Sequence, residues 1–349
     1  MGRKYIFVLC IFLFSYRLYG QTNHDKVYSK TRLGISGTTF TINNKPAFLY
    51  GISYYSVLGA PDNFIRKDLK DIKGYKFNWI RVWVNWVGAD TDISAVDDNG
   101  YPVGAYMDKL KWLVEQCDRK GIVVDITLAH GNNKDGRSLK TFDAHQRAVR
   151  SVISALHGYS NWYLDLANER NVGDARFVSF DDLKKLREVC KQLDPHLLVT
   201  ASSGGDIDNN DLKAYLQTVK VDFISPHRPR TAESATQTAA KTREYLAQMK
   251  VYGKVVPVQY QEPFRRGYTD WQPEVKDYIA DMEGAKSGGA AGWCFHNGSE
   301  RTTKDNKPNV LLICMSSGYL INWTRWSYRL LKQWQAGNSQ KFRVVSFSP

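Results

Sequence analysis

The 349-residue chain carries 48 Lys+Arg against 35 Asp+Glu, a formal net charge of +13, with 43% hydrophobic and 24% charged residues. Those proportions belong to a globular protein and exclude a disordered one. The basic excess comes without a basic run or a nucleic-acid motif, so we read it as a solvated surface. The five cysteines show no CxxC spacing, which excludes a zinc ribbon or a dithiol redox motif.

The chain opens with a basic start, Arg3 and Lys4, followed by an apolar stretch over 5–14 that is short for a membrane span. This is the layout of a secretory signal ending near Gly20, with a retained anchor as the competing reading. Export and removal of 1–20 are therefore expected, which would also remove Cys10. Residues 21–349 are expected to form one domain. Cys117, Cys190, Cys294 and Cys314 fall in apolar elements and read as free buried thiols. The alternation over 38–50 around Asn43-Asn44 predicts an N-terminal β-hairpin, because Asn tolerates the turn positions.

From there strands and helices alternate. The first strand is expected over 48–55, followed by a helix from 62 to 73 capped by Asp62 and ended by Gly74. The second strand covers 77–86, where the period of two puts Trp79, Arg81, Trp83 and Asn85 on one face. A buried arginine needs a charged partner, and Glu262 is the candidate. A helix over 106–120 and a strand over 122–130, ending on His130, come next.

A helix over 139–156 leads to a fourth strand, 162–170, which ends on Asn168-Glu169. A helix over 181–193 precedes strand five, 196–201, and a short helix at 210–216 precedes strand six, 221–225, which runs into His227. The helix 232–250 and strand seven, 254–262, end on Glu262. The helix 273–286 has Pro273 in its first turn, strand eight covers 289–295 with Trp293, and a closing helix is expected over 322–336. Eight such units without a Gly-rich phosphate loop predict an α/β fold, a (β/α)8 TIM barrel with an N-terminal β-hairpin.

Function in such barrels collects where the strands end. Those ends supply Arg81, His130, Asn168, Glu169, His227, Glu262 and Trp293. With these residues in barrel order, the sequence from 38 to 336 resembles the clan A retaining glycoside hydrolases. It resembles most of all the cellulase-like glycoside hydrolase family 5, or a sister family.

The resemblance implies Glu169 as general acid/base and Glu262 as nucleophile. It further implies Asn168 on the sugar 2-hydroxyl, Arg81 orienting Glu262, Trp293 beneath the reacting sugar, and His130 and His227 lining the pocket. Two positions depart from the family pattern. Pro229 stands where a tyrosine is common, and Pro263-Phe264 follows the nucleophile in place of Phe-Gly.

In a retaining site one carboxyl is protonated and the other ionised. Arg81 is expected to keep Glu262 ionised, and the neighbouring carboxylate is expected to keep Glu169 protonated. No metal or organic cofactor is implied. Trp86 and Tyr54, with Trp83 and Tyr55, are candidate sugar platforms against the alternative of core packing. The arginines after three strand ends, Arg170, Arg228, Arg230, Arg265 and Arg266, suggest either an acidic saccharide or salt bridges to loop acids.

The expected activity is retaining cleavage of a β-linked polysaccharide or oligosaccharide, endo-acting, by a monomer. An exo-acting β-glycosidase and a non-catalytic carbohydrate-binding barrel are the alternatives. Neither nucleic acid nor a membrane is expected as a partner.

Overall fold

The computed structural model describes residues 29–88, 91–128, 139, 141–173, 177–265 and 269–296. The expected signal, His130, Arg266, Cys314 and the closing helix lie outside these residues. The N-terminal hairpin is a three-stranded antiparallel meander, Leu33–Ser36, Thr39–Ile42 and Lys45–Ala47. Its second turn is made by Asn43 and Asn44 with φ of 53° and 63°, the left-handed positions that a two-residue hairpin turn requires.

The main sheet is parallel. Its strands are β1 (Leu49–Ser53), β2 (Trp79–Trp83), β3 (Val123–Thr127), β4 (Trp162–Asp165) and β5 (Leu198–Thr200), with two more late in the chain. Ser225–Pro226 is β6, Gln259–Tyr260 is β7 and Gly292–Phe295 is β8. Seven of these form one sheet in the order β5-β4-β3-β2-β1-β8-β7. β6 pairs in parallel with Ser202–Ser203, just beyond β5, and Ile224 forms a parallel bridge with Val258 just before β7.

Helices cover the outside: α1 (Asp62–Gly74), α2 (Gly104–Asp118), α3 (Phe142–Ala155), α4 (Phe180–Leu193), α5 (Asn209–Ala214), α6 (Ser234–Val251) and α7 (Val275–Gly288). Local chemistry sets their starts. Thr141, Ser179 and Asp208 accept from the backbone N–H three residues on, and Glu274 with Asp277 closes a capping box. Two details differ from the sequence reading. Pro61 is the N-cap of α1, with Asp62 in its first turn, and Pro273 precedes the cap of α7. The short helix runs on as one π turn, Tyr215–Val219, and stops at Lys220 with φ of 62°.

The period of two along each strand divides the core in two. Ile52, Ile80, Val82, Val124, Ile126 and Leu164 face outward against the helices. Leu49, Trp79, Val123, Tyr163, Phe223 and Cys294 face inward, where Phe40 of the meander joins them and packs edge-on to Phe223 at 5.0 Å. The meander thus closes the end of the sheet opposite the strand C-termini. Gly51 makes room for this interior, since a Cβ there would lie 1.6 Å from the Trp79 carbonyl. Cys117, Cys190 and Cys294 are free and buried.

Candidate active site

Above the apolar plug the inward positions become polar. Trp79 Nε1 donates to Tyr163 Oη at 3.0 Å, and Tyr163 and Gln261 both donate to Asp125 Oδ2, at 3.0 and 2.7 Å. Next comes Arg81, fully buried. Its guanidinium lies 3.4 Å from Asp125, 3.3 Å from Asp165 and 2.5 Å from Glu262, and it donates to Asn168 Oδ1 at 2.8 Å. The expected pairing of Arg81 with Glu262 is present, but the same cation also serves two deeper aspartates. Burial raises the Asp125 carboxyl against the pull of Arg81, and burial raises Asp165 likewise.

Glu169 and Glu262 meet at the strand C-termini. One carboxylate oxygen of each and a ring nitrogen of His227 all lie within 4.8 Å of one another. Glu169 holds φ of 50°, a left-handed conformation that costs a non-glycine residue about 1–3 kcal/mol. Its N–H donates to Ser202 Oγ at 3.1 Å. His227, buried, lies with Nδ1 3.2 Å from Glu169 Oε1 and 3.7 Å from Glu262 Oε2.

Burial pushes the Glu262 carboxyl up, but His296, His227, Arg81 and Arg230 outweigh it and hold Glu262 well below the usual glutamate value. Burial pushes His296 itself well below the usual histidine value, so the permanent charges on Glu262 are those of Arg81 and Arg230. Glu169 departs from expectation. Burial and the Glu262 charge raise it, yet the His227 hydrogen bond, the His227 charge and Arg230 leave it below the usual value. In the free site it is therefore ionised at neutral pH and not protonated, because its nearest neighbours are donors as well as a carboxylate.

Two expected site residues point away from this site. Trp293 lies on the outward face of β8, where its Nε1 donates to the buried Asp281 at 2.6 Å and its ring stacks on Tyr50. Tyr54 likewise faces outward and donates to Asp68 at 2.6 Å. The physical reason is the pleat: one residue along a strand is the opposite face.

The inward residues beside them are Tyr55, one place beyond Tyr54, and His296, three places beyond Trp293. Fully buried His296 has Nε2 3.2 Å from Glu262 Oε2 and Nδ1 2.7 Å from Ser53 Oγ, and Tyr55 Oη lies 3.0 Å from its Nε2. Reading Cys294 as inward, with a period of two, would have found His296 from sequence. Trp86 is half-buried and packs with Tyr55 and Trp83 at 5.4 and 5.6 Å, while Tyr55 and Trp83 stack at 4.5 Å. These three rings form an aromatic wall on the β1–β2 side.

The arginines separate by partner. Arg170 pairs with Asp211 at 3.5 Å and lies 3.9 Å over the Phe180 ring, and Arg228 donates from Nη1 to both Asp206 oxygens at 2.5 and 2.6 Å. Arg230 reaches the centre, 2.9 Å from Glu262 Oε2 and 3.7 Å from Glu169 Oε1. The Glu169, His227 and Glu262 donors are spaced closely enough for a metal ion, but a dication there would sit against the Arg230 guanidinium. The donor set therefore does not suit a resident metal.

Among solved structures the chain is similar to an endo-1,4-β-mannanase from Rhizomucor miehei, with 15% identity, a TM-score of 0.59, and 86% of this chain and 99% of that one covered. It is similar to the catalytic domain of a mannanase from a Streptomyces species, with 15% identity, a TM-score of 0.57 and 95% of both chains covered. A glycoside hydrolase family 5 mannosidase from Rhizomucor miehei matches at 13% identity and a TM-score of 0.57 over 88% of this chain and 99% of its own. At such identities the likeness establishes a shared α/β fold of the type that family 5 uses. No family model and no curated protein matches the sequence.

Proposed function

We propose that this chain is a retaining glycoside hydrolase that cleaves a β-linked polysaccharide, with mannan the leading candidate, from within the chain. One observation carries the reading: two carboxylates from β4 and β7 stand with oxygens within 4.8 Å at the strand C-termini. Oxygens that close agree with a retaining pair, whose carboxyl groups stand ~5–5.5 Å apart. We take the eight parallel strands as one closed (β/α)8 barrel. The β6 pairing with Ser202–Ser203 and the Ile224–Val258 bridge support closure. The mannan preference and endo action are supported by the substrates named for the similar structures, one of which is a mannosidase and keeps an exo-acting reading in view.

In the mechanism Glu262, held ionised by Arg81, attacks the anomeric carbon while Glu169 protonates the leaving oxygen. Water activated by Glu169 then releases the sugar. Because the free site leaves Glu169 ionised, its proton is taken up from acidic medium or on substrate binding, when the entering sugar displaces solvent and donors from it. Asn168, fixed by Arg81, holds the sugar 2-hydroxyl, His227 bonds Glu169, and Trp86, Tyr55 and Trp83 offer the sugar an aromatic face. No step calls on a cofactor. We also propose one exported domain after removal of 1–20. Among the described residues no helix is long and apolar enough to cross a membrane.

Reducing-sugar release and product length from mannan, β-glucan and xylan test the proposal. We expect short oligosaccharides from mannan, and Glu169→Gln and Glu262→Gln each to abolish release while circular dichroism stays native. Release that survives Glu262→Gln would remove the nucleophile assignment, and monosaccharide alone would favour exo action.

A further inference from the structure

Strand β6 runs into His227-Arg228-Pro229-Arg230, and Arg230 is the arginine that touches both reacting carboxylates. Arg81 cannot take this part, since it is buried beneath Glu262 and tied to Asp125 and Asp165. His227 also contacts both acids. An imidazole, however, carries a charge only when protonated, whereas a guanidinium keeps its charge at any working pH.

We infer that Arg230 is a catalytic residue whose guanidinium changes partner within each turnover. It pairs with Glu262 before attack and with Glu169 after Glu262 has been esterified. This inference rests on the retaining mechanism proposed above and adds a residue to it.

The chemistry asks for such a transfer. In the first step a Glu262 oxygen forms the bond to the anomeric carbon and the bond to the leaving oxygen breaks. The Glu169 proton goes to that oxygen. Glu262 is then a neutral ester and no longer attracts the guanidinium, while Glu169 has become an anion 0.8 Å further from the same Nη2 than Glu262 was, at 3.7 against 2.9 Å. A small side-chain shift brings Arg230 onto Glu169. In the second step water bonds to the anomeric carbon, its proton goes to Glu169, and the electron pair of the ester bond returns to Glu262. Arg230 is then drawn back.

The arrangement makes the two steps unequally sensitive to Arg230. Glu262 retains Arg81, His296 and His227 when Arg230 is removed. Glu169 loses the permanent charge that would hold it ionised as a base.

The test uses Arg230→Gln and Arg230→Lys with the 2,4-dinitrophenyl glycosides of β-mannobiose, cellobiose and xylobiose, whose leaving group needs little protonation. On the glycoside that the wild type prefers, Arg230→Gln is expected to lower kcat about 10–100-fold, the worth of one charge-assisted hydrogen bond. KM should fall in step, so that kcat/KM stays within about threefold. A burst of dinitrophenolate should appear. Azide, which attacks the ester without a base, should restore kcat, and Arg230→Lys should restore it in part.

If kcat and kcat/KM fall together without a burst, or if neither changes, the inference is overturned while the retaining mechanism stands. A wild type that turns over none of the three glycosides, or an active Glu262→Gln, overturns that mechanism and this inference with it.

Discussion

Arg81→Met is the most revealing single change, because it removes the one cation buried among three acids and leaves a side chain of similar reach. Asp125 and Asp165 would then lose the guanidinium that lies 3.4 and 3.3 Å away, and Glu262 the one at 2.5 Å while keeping Arg230 at 2.9 Å. Breaking a buried pair by removing one partner costs about 3–5 kcal/mol, since the remaining charge stays desolvated. The protein has one escape, which is to protonate. Burial already raises Asp125 to about 7, and without Arg81 all three carboxyls move up. A carboxyl whose folded value lies above its unfolded one binds more protons when folded, so stability falls as pH rises through that window.

The loss in Arg81→Met should therefore be full, about 3–5 kcal/mol, near pH 8 and shrink toward pH 5 as the acids protonate. Urea unfolding of wild type and variant at both values measures it. A loss below about 1 kcal/mol at pH 8, or an equal loss at both, would refute the claim that Arg81 is the counter-ion of the cluster.

Trp293→Phe removes the 2.6 Å donor to Asp281, whose carboxyl burial raises to about 6. It should cost about 1–3 kcal/mol of stability with kcat/KM unchanged, and a tenfold loss of kcat/KM would return Trp293 to the sugar site. His296→Gln removes the ring that lies between Ser53 and Glu262, and kcat/KM should fall about 10–100-fold with native thermal unfolding. Unchanged kinetics would leave His296 a packing residue. The pH profile of kcat/KM should be acid-shifted. Glu262 stays ionised well below the usual glutamate value and Glu169, also lowered, loses its proton as pH rises. An optimum above about pH 7 would contradict the lowered Glu169, whose loss of a proton sets the basic limb.

The strand order and the helix faces were legible because both rest on local periodicity. Trp79, Arg81 and Trp83 alternate with Ile80 and Val82, and the structure puts the first set inside and the second against the helices. Edges were less so. β6 and β7 are only two residues each, and β5 continues after a break as Ser202–Ser203. Their hydrogen bonds depend on how neighbouring strands lean, a tertiary matter that no run of residues declares. The meander was half seen: Asn43-Asn44 announced one turn, while Gly37, with φ of 60°, made another.

At the site, residue type was legible and direction was not. Glu169, Glu262, Asn168, Arg81 and His227 converge, because a polar residue on an apolar strand end has few reasons to be there. Tyr54 and Trp293 misled, because a large ring satisfies the demands of either face and the deciding fact is its polar atom's partner. Both partners, Asp68 and Asp281, sit on helices and are fully buried.

The protonation of Glu169 is not legible from its nearest carboxylate alone. A nearby carboxylate argues for a raised value, but the sum also contains the His227 bond and Arg230. Arg230 stands two places beyond Arg228 and three beyond His227, where counting along the strand end loses its meaning because Pro229 breaks the pleat. Electrostatics at this site is thus a property of five strand ends taken together, those of β2, β4, β6, β7 and β8. In the proposed mechanism, what separates acid from nucleophile is which donors reach each carboxylate, not how far apart the carboxylates stand.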